Sequence, residues 1–227
     1  MGRLRRSVFP GLPHLVRVRP ASKQPIFRDW RDFDAYTRFL GQACAKHRVQ
    51  VLAWCLMEDE ISLVVQPWGG FLLSAAIRDA HQRYTRDANH RWKSRGPVFE
   101  ARYRSCAMDA RHAKAAIRMI ELEPVRAGRV TKVWRWGWSS GPFRCGRAES
   151  DRLVAEVRAG GLLPDWRRLF MVEDWAAESA VKEAIASGRP AGAPEFIAHL
   201  EKKARRKLTQ PRRGRPRKNA KGEEDEK

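Results

Sequence analysis

Two apolar runs, Val49 to Met57 and Ile61 to Pro67, are separated only by Glu58, Asp59 and Glu60. That spacing is the spacing of a hairpin, so the two runs read as tightly joined antiparallel strands, and the middle of the fold is fixed by them. Upstream, Leu15 to Arg19 alternates apolar and basic residues and is closed by Pro20, a pattern that suits an exposed or edge strand facing a polyanion. Between these strands Trp30, Phe33, Tyr36, Phe39, Leu40 and Ala43 recur every three or four residues, which predicts an amphipathic helix from Asp29 to His47.

Downstream of the hairpin, Leu72, Ala75, Ala76, Ala80, Tyr84 and Ala88 place a second helix over Phe71 to Trp92. Gly96-Pro97 breaks it, and a short strand is expected around Val98 to Cys106. Asp109 can cap a further helix that runs to about Leu122 and is stopped by Pro124. The element order is therefore βαββαβ with an added helix, an α+β arrangement. Trp134, Trp136 and Trp138, interleaved with Arg135, could stack on bases. A lid packed on the core is the better reading of such a cluster.

Helical patterns at Asp151 to Ala159, Asp174 to Ser187 and Glu195 to Lys207 follow. Three regions are expected: a main domain over 1–145, a small helical extension over 146–207, and a disordered tail over 208–227. Lys202 to Lys221 holds eleven Lys or Arg and no acid, too charged to fold alone. Its Arg213-Gly214-Arg215-Pro216-Arg217 core resembles an AT-hook, whose arginines enter narrow minor grooves. Glu223 to Glu226 then form an acidic end.

With a formal charge of +20, the chain attracts polyanions by counterion release, and nucleic acid is the leading partner. Cys44, Cys55, Cys106 and Cys145 form no CxxC pair, so neither a zinc ribbon nor a disulfide framework is indicated. They read as buried thiols. No apolar stretch approaches membrane-spanning length, so no membrane partner and a cytoplasmic, nucleoid-associated location are expected.

Two segments carry a resemblance to a known family. Leu56-Met57-Glu58-Asp59-Glu60-Ile61-Ser62-Leu63 is similar to Leu-Met-Pro-Asn-His-Val-His-Leu, and Arg118-Met119-Ile120-Glu121-Leu122-Glu123-Pro124-Val125-Arg126-Ala127-Gly128 is similar to Arg-Tyr-Ile-Glu-Leu-Asn-Pro-Val-Arg-Ala-Gly. Both patterns are those of the REP-associated tyrosine transposases, a branch of the HUH single-strand transposases. The resemblance covers about residues 1 to 145 and again about 184 to 218, and it implies a ferredoxin-like antiparallel sheet. It also implies DNA as partner, foremost hairpin or single-stranded DNA.

In that family a tyrosine attacks a phosphodiester while a metal held by two histidines polarises the phosphate. By the resemblance, Glu60 and Ser62 stand at the histidine positions, Met119 at the nucleophile position and Glu123 at a helper asparagine position. Residues two apart on a strand share a face, so Glu60 and Ser62 keep the facing geometry without the chemistry. A thioether has no ionisable proton and cannot serve as the nucleophile. Cleavage is thus expected to be lost, with no cofactor, and with Mg²⁺ or Mn²⁺ relevant only if nuclease activity remains.

Tyr84 and Tyr103 sit in segments that match the family's helix and strand patterns but are not offered as nucleophiles. Glu58, Asp59, Glu60, Glu121 and Glu123 could be imagined as an acidic Mg²⁺ site, although exposed hairpin and helix-end carboxylates explain them more simply. The arginines are kept where the catalytic positions are not. Arg17, Arg83, Arg86, Arg102, Arg104 and Arg126, with Arg213, Arg215 and Arg217 in the tail, are the expected nucleic-acid contacts. Three alternatives stay open: an active transposase with a substitute site, a general nucleoid or RNA-binding protein, and a half-partner that binds DNA while a second copy or an intact homologue completes a dimer.

Overall fold

The Glu58–Glu60 turn is closed by the Met57 amide donating to the Glu60 carbonyl at 2.8 Å, and it joins β2 (Val49–Leu56) to β3 (Ile61–Pro67). In the computed structural model, which describes residues 7–154, 170–171 and 173–209, four strands form one sheet. The remaining strands are β1 (His14–Val18) and β4 (Arg104–Ala107), and the order across the sheet is β2-β3-β1-β4 with every pair antiparallel. This is the ferredoxin-like βαββαβ topology.

β1 is a central strand, paired on both sides, and not the exposed or edge strand that its alternating arginines suggested. The reason is electrostatic: Arg17 points into the protein and meets the carboxylates of Glu60 and Glu123 there. β4 is also shorter than the expected Val98 to Cys106. The stretch before it meets the other chain segment only at the Pro20–Phe99 bridge, with Ala21 donating to Val98 and Glu100 to Arg19. Pro20 has no N–H with which to continue a ladder.

Strand side chains alternate between the two faces, and each face is covered by helices. On one face lie α1 (Trp30–Lys46) and α2 (Leu72–Trp92), packed over Val16, Val18, Trp54, Leu56, Leu63 and Val65. α1 starts where expected, because the Asp29 carboxylate accepts the Arg31 amide at 2.8 Å. Asp32, fully buried, accepts the Arg28 amide at 2.6 Å and pairs with Arg91, tying the start of α1 to the end of α2. Phe27, Phe33, Tyr36, Tyr84 and Phe99 fill the space between with ring centroids 4.5 to 5.9 Å apart.

The opposite face is covered by α3 (Ala110–Glu121) and α6 (Trp175–Ser187), whose Ala116, Ile117, Met119, Ile120, Val181 and Ile185 pack on Leu15, Cys55, Val64 and Cys106. Asp109 caps α3 as its sequence suggested, accepting the His112 amide at 2.9 Å, and its second oxygen accepts the Ala193 amide at 2.8 Å. Pro124 ends α3 but opens a single turn, α4 (Glu123–Arg126). A 3₁₀ turn (Val133–Arg135), α5 (Gly141–Arg144) and α7 (Pro194–Ala204) complete the described elements.

The tryptophan stretch packs as a lid. Trp138 stacks on Phe33 at 5.1 Å, and Trp136 donates its indole N–H to the Leu56 carbonyl at 3.0 Å. Backbone bonds from Leu56 to Trp138 and from Ser140 to Trp54 cover the outer edge of β2, which would otherwise expose unpaired groups. Asp151 to Val154 is not helical. The Asp151 carboxylate instead accepts the Leu153 and Val154 amides and the Trp54 indole N–H at 2.7 to 2.8 Å. The rest of that expected helix, from 155, lies outside the described residues, as does the AT-hook-like tail. All four cysteines are buried free thiols.

Candidate functional site

The antiparallel registers align Cys55, Ser62, Arg17 and Arg104 in one row across β2, β3, β1 and β4. By strand alternation these four side chains belong to the face covered by α3 and α6. α3 brings Met119 onto that face, and the chain then turns through Leu122 into α4, which delivers Glu123. Glu60 arrives from the hairpin. The four positions singled out from the sequence therefore belong to one region, as the resemblance implied.

At its centre is Arg17, whose side chain meets the protein's own carboxylates and not the DNA that the sequence alone suggests. One Nη of Arg17 donates to Glu60 Oε2 at 3.0 Å, and the other contacts Glu123 Oε1. Ser62 Oγ donates to the same Glu123 oxygen at 3.3 Å, and Arg19 Nε reaches Glu60 Oε1 at 3.3 Å. A single guanidinium thus bridges two carboxylates from the hairpin and the helix end, both largely shielded from water. Burial pushes the Glu123 carboxyl up to about 7, against the pull of Arg17 and reinforced by Glu60, so this group titrates near neutral pH.

A carboxyl raised in the folded state favours folding while it is protonated, and the benefit is lost as pH climbs from the ordinary carboxyl range through about 7. Glu123→Gln, which keeps the shape and cannot ionise, should gain up to about 3 kcal/mol of stability relative to the parent between pH 5 and pH 8. Urea unfolding at both pH values checks it. A relative loss at pH 8 would mean that the Arg17 ion pair outweighs desolvation.

Met119 is 2% exposed and packed in the apolar cluster under α3. The chain has three tyrosines, and Tyr36, Tyr84 and Tyr103 all belong to the cluster on the other face of the sheet. Tyr84 donates to the Ile26 carbonyl at 2.6 Å, and burial raises its phenol far above the usual range. Cys55 is held as a thiol, its pKa raised by burial first and then by Glu123, Glu121 and Glu60.

The residues present do not fit a resident divalent metal. Both carboxylates are already engaged by the Arg17 guanidinium, and among the described residues no three His, Cys, Asp or Glu side chains come together as a metal site. The imagined five-carboxylate cluster does not form either. Glu121 turns away, accepting from Ser140 Oγ and from Arg144 Nε at 2.7 Å, while Glu58 pairs with Arg129 at 3.4 Å.

The other arginines separate into two kinds. Arg126 reaches the buried Glu178 at 2.9 Å, and Arg83 bonds Gln42 while lying over the Phe39 ring. Arg104 is exposed, Arg102 half-buried, and Arg86 lines an open groove of about 700 Å³ along α2 with Arg78, Gln82 and Thr85. Arg213, Arg215 and Arg217 lie outside the described residues. Beside Arg17, a cavity of about 170 Å³ is lined by Arg19, Arg104 and Lys182, with Glu60 and Glu100 opposing them. Arg19 could have been read from its place two residues after Arg17. Lys182 could not, since nothing in its local sequence says that α6 docks here.

No family model matches the chain, and no curated protein matches it. Among solved structures, that of a REP-associated tyrosine transposase bound to a REP hairpin matches with a TM-score of 0.56 at 15% identity, over 69% of this chain and 92% of that one. The chain has this transposase fold. A candidate transposase from Deinococcus radiodurans (17% identity, 52% of this chain and 94% of that one) has a TM-score of only 0.37. A bacterial tRNA(His) guanylyltransferase-like protein in complex with GTP (12% identity, 54% and 70%) has a TM-score of 0.34. In this fold Glu60, Ser62, Met119 and Glu123 come to the same face of the sheet as Arg17.

Proposed function

We propose that this chain is a DNA-binding protein built on a transposase fold, that it engages hairpin or single-stranded DNA, and that it does not cut DNA through a tyrosine. The observation that carries the second half is the placement of the tyrosines: all three lie beneath α1 and α2, across the sheet from Met119. Covalent attack needs reacting atoms about 3 Å apart in the productive geometry, and a four-stranded sheet separates these groups.

The binding half rests on charge and on the partner of the fold relative. The chain carries a formal charge of +20, and the matched transposase is bound to a REP hairpin. Arg86, Arg102 and Arg104 would meet phosphates or bases from the folded part. Arg17 acts differently, by holding the site's carboxylates, and Arg126 acts through Glu178. The tail arginines Arg213, Arg215 and Arg217 would anchor adjacent duplex, and no cofactor is required. A nucleoid location would follow from this binding; no helix among the described residues is long and apolar enough to cross a membrane.

The test compares hairpin DNA, blunt duplex and a matched RNA hairpin in gel shifts at one salt concentration. Preference for the DNA hairpin is expected, with affinity falling as salt rises. Equal affinity for all three would sink the reading in favour of a general nucleoid or RNA-binding role.

A further inference from the structure

The sequence places two carboxylates and a hydroxyl, Glu60, Glu123 and Ser62, on one spot of the sheet, and such a hard-oxygen set would ordinarily invite a divalent cation. A guanidinium stands there instead. Arg17 engages Glu60 through one terminal nitrogen and Glu123 through the other, so it touches both charged donors at once. The second oxygen of Glu123 is buried and has no hydrogen-bond partner among the described residues. That spare acceptor marks a donor set with more capacity than one guanidinium uses.

We propose that Arg17 is a resident cation that has taken over the place and the charge-neutralising role of a metal ion, and that it holds closed a latent divalent-cation site made by Glu60, Ser62 and Glu123. Two carboxylates this close and this poorly hydrated repel each other unless a positive charge lies between them. In this fold that charge is covalently attached, because β1 is a central strand beside β3 and Arg17 stands directly opposite Ser62 in the register. Arg17 and a metal ion exclude each other: both need the same two oxygens, and a divalent ion beside a guanidinium would be repelled by it. The inference rests on the reading that positions 60, 62 and 123 correspond to the metal side of the transposase fold, and it adds what replaced the metal.

The test is a Mn²⁺ titration of the full chain, read by thermal unfolding and by loss of the free Mn²⁺ electron paramagnetic resonance signal. The parent should show neither a Mn²⁺-dependent rise in Tm nor bound Mn²⁺. Arg17→Met, which keeps the aliphatic stem and removes the charge, should bind Mn²⁺ at least about tenfold more tightly than the parent and melt higher with it than without. The double variant Arg17→Met, Glu123→Gln should lose that gain.

Should Arg17→Met be unfolded on its own, Mn²⁺ is expected to refold it, since the metal would restore the missing charge. Two results overturn the proposal: a parent that binds Mn²⁺ as well as Arg17→Met does, or an Arg17→Met chain that neither binds nor is refolded by Mn²⁺ while Arg17→Gln behaves the same way. Gel shifts with hairpin DNA on the same parent protein keep the two ideas apart. Loss of hairpin binding would count against the proposed function and leave the Mn²⁺ result standing.

Discussion

Glu178→Ala should destabilise the chain by about 3–5 kcal/mol, the cost of leaving a buried charge without its partner. Glu178 is 1% exposed and receives Arg118 from α3 and Arg126 from α4, the latter at 2.9 Å. Arg118 is itself nearly buried, and its other contact, Glu173, is half exposed and can replace little of the loss. The variant would strand that guanidinium between α3 and α6. For a chain of this length the loss corresponds to a fall in Tm of roughly 10 °C. Glu178→Gln should cost less, because the amide still accepts one bond. Exposed pairs of the same kind, such as Arg152 with Asp34, should change stability by under about 1 kcal/mol when cut.

Glu121→Ala is expected to do comparable damage by a different route. Glu121 is fully buried, accepts from Ser140 Oγ and is held by Arg144 Nε at 2.7 and 3.0 Å, while Arg144 also donates to the Leu52 carbonyl at 2.7 Å. Burial raises the Glu121 carboxyl above its ordinary value and Arg144 pulls it back, so the pair stands or falls together. The single variant should lose about 3–5 kcal/mol, whereas Glu121→Leu combined with Arg144→Met should recover most of it, since a well-packed apolar pair can match a buried ion pair. Equal losses in the single and double variants would show that packing around Arg144, not its charge, holds α5 against the sheet. Neither substitution removes a group from the Arg17 site, so any effect on DNA binding should follow the loss of folded protein.

The elements with strong local signals were legible in the sequence. Asp29 and Asp109 start the helices they cap, the Glu58–Glu60 turn joins the two strands, and the two motif segments converge as the resemblance implied. What failed to read was the environment of a charge. An arginine between valines signals a polyanion only if no carboxylate of the protein reaches it. The two that do reach Arg17 come from positions 43 and 106 residues away in the chain. The same limit hid Lys182 and the structural work of Arg126, because α6 docks through Val181, Ala184 and Ile185, whose partners across the sheet no local pattern names. The tryptophan stretch was easier: indole rings beside small residues have a large area to bury, and Trp138 buries it on Phe33.

The most direct test of the account is a single incubation of the full chain with labelled hairpin DNA in Mg²⁺ or Mn²⁺, divided between a native and a denaturing gel. The native gel should show a retarded complex. The denaturing gel should show only intact free DNA, because Met119 supplies no nucleophile and the tyrosines lie across the sheet. A covalent protein–DNA adduct or a cut strand in the denaturing gel would contradict the separation of binding from cleavage on which the account stands.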